Sequence, residues 1–307
     1  MTRPRSVRAA YQGSRGAFSE DAARAVLSGI GADPSGSVPC ERFEDVFDAV
    51  RTGLVELGVV PVENTLAGSV QPTYDLLLER RLTIVDEHVH RIEHCLIAPP
   101  GVQVDALERV LSHPVALAQC RRFFAGRPDL RPVLAHDTAG AVEMIMKAPP
   151  GADAAIASRR SAELYGAAVL TEHLEDDPAN FTRFLVIARS GSERGGGRTR
   201  LQGRPHEPSK TSLVLTLTNR PGSLVSALQH FARRGVDLTM IESRPRHGRP
   251  FEYTFSIDLA GAVDEPPVIA ALAELADEVL EIHVLGSYPR AAPVPEQLAR
   301  RAAEPAA

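Results

Sequence analysis

Along the first 190 residues, short apolar runs alternate with segments whose apolar positions recur at helical spacing. Residues 7–11 read as a strand, and 19–27 as a helix capped by Ser19 with Glu20 and Asp21 in its first turn. Phe43, Val46, Phe47 and Val50 share one face of a predicted helix over 43–53. A buried strand follows at 57–62, then a helix from about 69, then one long extended run over 82–98. Further strands are predicted at 109–112, 133–136, 154–157 and 184–188, with helices opening at His113-Pro114, running to about 147, and covering 160–165. Repetition of strand, polar loop and helix predicts an α/β domain of two lobes facing each other across a cleft.

The pattern breaks at 191–208, a Gly-, Arg- and Pro-rich stretch predicted to be a linker. It restarts as strand 211–218, helix 222–234, strands 238–244 and 251–259, helix 266–276 and strand 279–285. This βαββαβ order predicts a ferredoxin-like unit. The expected organisation is an α/β domain over 1–190, a linker over 191–208, the ferredoxin-like unit over 209–288 and a frayed tail over 289–307.

Composition narrows the function. Lys and Arg number 34 against 39 Asp and Glu, a net charge of −5, so no basic field for nucleic acid is expected. Lysine occurs only at 147 and 210, so arginine carries nearly all positive charge and any single Arg is weak evidence of an anion site. Three cysteines at unrelated spacings, Cys40, Cys95 and Cys120, predict a reducing, cytoplasmic setting without a disulfide framework. No apolar run follows Arg3, Arg5 and Arg8, so no signal peptide is expected, and no stretch approaches the roughly 18 apolar residues of a membrane span.

The richest chemistry lies at 176–184, where polar Asp176, Asp177, Asn180, Thr182 and Arg183 run into the strand Phe184 to Ala188. A hydroxyl beside a guanidinium suits a small anion whose hydroxyl must leave. At the carboxyl end of strand 57–62 stand Glu63 and Asn64, where open α/β sheets hold ligands, although Asn64 could equally make an Asx turn. The glycine loop Gly13-Ser14-Arg15-Gly16 could cradle an anion or be a tight turn; it is not a dinucleotide fingerprint. His88, His90 and His94 would share a strand face, which raises zinc, but no carboxylate or cysteine stands at ligand spacing and no metal is expected.

Taken together, Gly13 to Glu20, Pro61 to Ser69, Ser112-His113-Pro114 through Gln119-Cys120, Asp137-Thr138-Ala139 and Asn180 to Phe184 resemble prephenate dehydratases of the monofunctional type with a C-terminal ACT domain. The resemblance spans about 7–288, with Thr65 where the family usually has Ser and Ser223 where it usually has Ala. It implies a fold like that of type II periplasmic binding proteins, conversion of prephenate to phenylpyruvate, water and carbon dioxide, and feedback inhibition by L-phenylalanine. It also implies homodimers or homotetramers assembled through the ACT domains, with no nucleic acid or membrane partner. Carried over to this sequence, the implied catalytic residues are Thr182, Glu63 and Asn64. The implied substrate-binding residues are Arg183, Gln119, Ser112, Thr138, Ser69, Phe181, Ser158 and Arg15. Those implied for the effector are Asn219, Pro221, Gly222, Ser223, Leu224 and Val225, with Glu242, Ser243, Arg244 and Pro245 on the next strand, where Arg244 could instead serve a strand-end salt bridge.

The chemistry agrees with such residues. Losing a hydroxyl and carbon dioxide makes the ring aromatic, so the reaction is downhill and needs no metal or redox cofactor. The site must hold the pyruvyl carboxylate, keep the ring carboxylate poorly solvated behind an apolar wall such as Phe181 or Phe184, and help the hydroxyl leave. Thr182 is a poor acid alone and is expected to hydrogen-bond the leaving oxygen with Glu63 or a water behind it. Two rivals stand: an arogenate or dual-substrate dehydratase, and a non-catalytic amino-acid sensor, against which Asn64, Gln119, Thr182 and Arg183 argue.

Overall fold

A computed structural model describes residues 7–148, 151–190, 209–246, 249 and 252–291. The predicted linker and residues 292–307 of the predicted tail lie outside the described residues. In chain order the elements are β1 (Ala9–Gln12), α1 (Phe18–Gly29), β2 (Ser37–Cys40), α2 (Phe43–Thr52), β3 (Leu57–Asn64), β4 (Gly68–Ser69), α3 (Gln71–Arg80), β5 (Thr83–Arg91) and β6 (Cys95–Ala98). There follow β7 (Arg109–Ser112), α4 (Pro114–Ala118), α5 (Arg121–Gly126), β8 (Arg131–Leu134), α6 (Thr138–Lys147), β9 (Asp153–Ala157), α7 (Arg159–Tyr165), β10 (Ala168–Thr171) and β11 (Phe181–Ala188). The last block is β12 (Ser209–Thr216), α8 (Ser223–Ala232), β13 (Leu238–Pro245), β14 (Tyr253–Ala260), α9 (Pro266–Leu275) and β15 (Glu281–Pro289).

Three sheets result. The first has order β2-β1-β3-β11-β5 with β4 on β3, the second β10-β6-β9-β7-β8, and the third β13-β14-β12-β15. β1 lies parallel to β2 and β3, and β7 parallel to β8 and β9. Parallel strands covered on both faces carry continuous apolar runs, and Leu57, Val59, Val60 and Val62 of β3 are all fully buried. The chain leaves the first sheet after β5 and returns to it in β11, so two crossovers join two α/β lobes. This is the two-lobed architecture of type II periplasmic binding proteins, followed by a βαββαβ module.

The predicted run over 82–98 is broken. β5 ends at Arg91 and β6 begins at Cys95 because the segment between turns its backbone toward the returning crossover. Ile92 N–H donates to Asn180 O at 2.8 Å, His94 N–H to Glu175 Oε2 at 2.8 Å, and Leu174 N–H to His94 O at 3.0 Å. His94 therefore leaves the strand that carries His88 and His90, whose rings lie 5.9 Å apart. α1 starts at Phe18 with Ala17 as N-cap, two residues before the expected Ser19 cap, while the Glu20 carboxylate accepts from Gly16 N–H at 2.6 Å. The helix opened by Pro114 stops at Ala118, so Gln119 is a C-cap residue rather than a helical one.

By compactness the described chain forms two units, one of 7–73 with 88–184 and one of 74–87 with 185–291. The boundary expected at 190 thus falls inside the second unit, which contains part of α3 and β5 as well as the βαββαβ module. Within it, Leu213, Leu215, Ile257 and Leu259 bury one sheet face with Phe231 and Ala227 of α8 and Val268 and Ala271 of α9. Alternation puts Lys210, Ser212 and Asp258 on the other face, where they are nonetheless buried. Lys210 Nζ meets Glu87 Oε2 at 2.8 Å, and Ser212 Oγ donates to Asp258 Oδ1 at 2.5 Å and lies 2.6 Å from Tyr288 Oη.

Candidate active site

The site is built where β3 ends beside the start of β11. Asn64 Oδ1 accepts Leu66 N–H at 3.0 Å and Ala67 N–H at 2.8 Å, an Asx turn that leaves its amide nitrogen facing β11. Asn64 Nδ2 lies 2.8 Å from Asn180 Oδ1, 3.0 Å from Thr182 Oγ1 and 3.1 Å from Phe181 O. Thr65 fastens the same junction: its Oγ1 donates to Ala179 O at 2.6 Å and accepts Phe181 N–H at 2.9 Å. The β11 pleat sends Asn180 and Thr182 to one face, and Phe181 and Arg183 to the other. Gln119, from the second lobe, completes the array: its Nε2 donates to Asn64 Oδ1 at 3.2 Å and its Oε1 accepts from Asn180 Nδ2 at 2.9 Å. Thr182, Gln119 and Asn180 are all buried, as charge stabilisation by dipoles requires.

This array opens on a cavity of about 720 Å³ between the lobes. Among the predicted residues it is lined by Asn64, Ser69, Gln119, Thr138 and Thr182, together with Phe43, Phe184, His94, His113 and His136. Its lining side chains, among the described residues, include no Arg, Lys, Asp or Glu. His113 caps α4 with Nδ1 accepting Val115 N–H at 3.3 Å, so its Nε2 carries the proton of the neutral ring. Burial lowers the His113 pKa, partly opposed by Asp137.

Other residues expected at the site lie away from this cavity. Arg183 stands on the pleat opposite Thr182 and pairs with Glu63 at 3.4 Å, which in turn is one residue out of phase with Asn64; neither lines the cavity. Phe181 shares that far side, and Phe184 supplies the apolar wall instead. Ser112 is fully buried and donates to Ile156 O at 2.6 Å. Arg15 is exposed and does not line the cavity. Ser158 Oγ donates to Gly16 O at 2.7 Å, as does Ser161 Oγ at 2.8 Å. Gly16 has φ +89° and a Cβ there would lie 2.9 Å from Ser161 Oγ, so the glycine loop serves close docking of α7. Ser14 Oγ donates to Asp137 Oδ2 at 2.6 Å, which puts a carboxylate where an anion cradle was considered. Asn180 and His94 join the array beyond the site residues that the resemblance implies. Asn180 was detectable as the i−2 neighbour of Thr182 on a strand; His94 depended on the crossover pairing.

Among the described residues no group of three or more His, Cys, Asp or Glu side chains is placed to hold a metal. A second cavity, about 580 Å³, is lined by Asp21, His90, Arg91, Glu93, Arg159 and Arg160 among others. Burial pushes the Asp21 carboxyl up to about 7 although Arg160 lies 3.4 Å away, and it pushes His90 down to about 4. A carboxyl that holds its proton more tightly when folded gives stability that is present at low pH and is lost as pH rises from its ordinary value of 3.8 through 7. The thermal midpoint of the wild type should therefore fall relative to Asp21→Asn between about pH 4 and 7; parallel melting curves would assign the ionisation elsewhere.

The proposed effector residues lie at the start of α8 and on β13. Gly222 is the N-cap of α8 with φ +85°, Ser223 Oγ lies 3.4 Å from Thr218 Oγ1, and Leu224 packs on the module core while Val225 is exposed. Glu242 is half-buried, Ser243 and Pro245 are exposed, and Arg244 pairs with Asp75 of α3, with Nε at 3.2 Å from Oδ1.

A two-lobed α/β cleft with a buried amide–hydroxyl array, followed by a βαββαβ module, defines a small-molecule-binding protein with an appended regulatory-type domain. The family description "Prephenate dehydratase" matches residues 9–192 and "ACT domain" matches 211–277. The chain belongs to the prephenate dehydratase family, a family of hydro-lyases in aromatic amino-acid biosynthesis. "Arogenate dehydratase/prephenate dehydratase 2, chloroplastic" of Arabidopsis thaliana is 40% identical over 292 residues, 92% of this chain and 73% of that one. Prephenate dehydratase from Arthrobacter aurescens, solved with L-Phe, superposes with TM-score 0.81 at 32% identity, covering 97% of this chain and 96% of that one. A structure titled "GqqA- a novel type of quorum quenching acylases" superposes with TM-score 0.81 at 36% identity, covering 94% and 99%. No helix among the described residues is long and apolar enough to cross a membrane.

Proposed function

We propose that the chain converts prephenate to phenylpyruvate, with Thr182 donating a hydrogen bond to the departing hydroxyl. The observation that carries this reading is the polarity of one contact. Backbone N–H groups of Leu66 and Ala67 identify the oxygen of the Asn64 amide, so it is N–H that meets Thr182 Oγ1 at 3.0 Å. The threonine oxygen accepts there, and its own proton is left to point elsewhere. A donor aimed at a leaving oxygen lowers the barrier by stabilising charge that develops only in the transition state. Phe184 and Phe43 supply an apolar wall for the ring carboxylate, and the protonated Nε2 of His113 is a donor for the pyruvyl carboxylate. The reaction is redox-neutral: the electron pair of the broken bond to the ring carboxylate enters the ring as the C–O bond breaks, and the oxygen leaves as water with a proton drawn from solvent through the Thr182 hydroxyl. Amide hydrolysis, which the acylase structure's title suggests, would need a base on the threonine hydroxyl, whereas Asn64 Nδ2 is a donor.

Prephenate and arogenate differ by a keto against an amino group on the side chain. Among the described residues the wall offers no carboxylate to hold an ammonium, which favours prephenate. Ultraviolet assay of phenylpyruvate from prephenate, beside assay of phenylalanine from arogenate, tests this: kcat/KM should be higher for prephenate, and the reverse order would make the chain an arogenate dehydratase. The module is read as the receptor for L-phenylalanine, with homo-oligomers formed through it. Arg244→Ala should raise the half-inhibiting L-phenylalanine concentration by about tenfold, the loss of one charge-assisted contact. Unchanged inhibition would move the effector site away from β13.

A further inference from the structure

The amide array does not end at Gln119. Gln119 Oε1 lies 2.9 Å from His94 Nε2, and His94 is buried, with 2% of its surface exposed. Which atom donates can be settled link by link, starting from groups whose protons are not in question. The Leu66 and Ala67 N–H groups make the facing atom of Asn64 the oxygen. Asn64 therefore donates to Asn180 Oδ1, which leaves Asn180 Nδ2 to donate to Gln119 Oε1. The Gln119 nitrogen then donates to Asn64 Oδ1, closing a ring of three amides that fixes Oε1 as an acceptor. His94 must meet that oxygen with N–H. The other ring nitrogen, Nδ1, is buried and has no hydrogen-bond partner among the described residues, so a proton there would be a stranded donor.

We infer that His94, as a neutral imidazole protonated on Nε2, is a positioning residue that holds the Gln119–Asn180–Asn64 amide ring in the one orientation that leaves the Thr182 hydroxyl proton available to substrate. This rests on the dehydration reading of the cleft. His94 sits at the crossover between lobes, with its N–H on Glu175 Oε2 and its carbonyl accepting Leu174 N–H, so its backbone is held by the connection between β10 and β11. The edge-on Phe18 ring at 5.5 Å covers it. Burial keeps the imidazole below its ordinary range, against the opposing pull of Gln119 and the Glu175 carboxylate. Without the imidazole N–H, Gln119 Oε1 loses one of its two donors, and its orientation rests on the Asn180 and Asn64 amides alone. An overturned Gln119 would present N–H to Asn180 Nδ2 and oxygen to Asn64 Oδ1, and the ring could relax only by turning Asn180 and loosening the Asn64 amide from Thr182.

Two measurements on the full-length chain test this. Nitrogen-15 NMR of histidine-labelled protein should show His94, assigned by its loss in the variants, with protonated Nε2 and bare Nδ1. A proton on Nδ1, or a cationic ring at neutral pH, overturns the inference whatever the enzyme turns over. The second measurement compares His94→Gln with His94→Asn. Gln can place an N–H near the imidazole Nε2 position; Asn falls short of it. The Asn variant should lose about tenfold in kcat with KM for prephenate changed less than about threefold, and the Gln variant should stay within about threefold of wild type. A His94→Asn enzyme with wild-type kcat, or a Gln variant no better than Asn, overturns the inference. Absence of turnover in the wild type would instead sink the dehydration reading and leave the tautomer result standing.

Discussion

Thr182→Ala is expected to lower kcat by about 10²-fold or more while KM for prephenate stays within a few-fold. The one polar group of the side chain is a hydroxyl whose oxygen already accepts Asn64 N–H, so its removal takes away a donor to the leaving group and little of the ground-state binding. A contact made mainly in the transition state shows in kcat, and one made equally in both states shows in KM. Thr182→Ser keeps the hydroxyl and should recover most of the rate. Steady-state kinetics on the three enzymes decides the matter. An alanine variant with wild-type kcat removes the hydroxyl from the chemistry, and one whose KM rises with kcat intact makes it a binding group.

The second large effect concerns stability. Glu87→Met should destabilise the second unit by about 3–5 kcal/mol, because it strands the Lys210 ammonium in a place where its side chain is 7% exposed. Glu87 is itself 2% exposed and also accepts Ala291 N–H at 2.9 Å. The double variant Glu87→Met/Lys210→Met should recover most of the loss, since an apolar pair of similar volume carries no uncompensated charge. Urea unfolding of the single and double variants measures this; a double variant as unstable as the single would mean that packing, not charge, holds the pair.

Much of this was readable from residue order. Buried parallel strands announce themselves as unbroken apolar runs, and β3 and β11 fell where those runs lie. Asn64 and Thr182 stand at the polar mouths of such runs, while Gln119, at the end of a short helix, is reached through the family resemblance. Thr182 and Arg183 part for a reason equally local: neighbours on a strand face opposite sides, and Thr182 is the one that lines the cavity. Ser112 and Ser158 looked alike as hydroxyls at strand ends, yet each satisfies a backbone carbonyl distant in sequence. His94 could not be placed from sequence. Its partners, Glu175, Leu174 and Gln119, are brought together by two crossovers that a periodicity argument treats as one uninterrupted strand and a loop.

The second unit is discontinuous in sequence, and that has a consequence for biogenesis. Leu76, Leu77, Ile84 and Val85 are buried, and they leave the ribosome about 200 residues ahead of the last strand of the unit to which they belong. At ordinary elongation rates this is a delay on the order of 10–40 s, during which an apolar segment waits for its cover. Nascent chains stalled before β12 should therefore engage holding chaperones at 76–85 and release them once β15 has emerged.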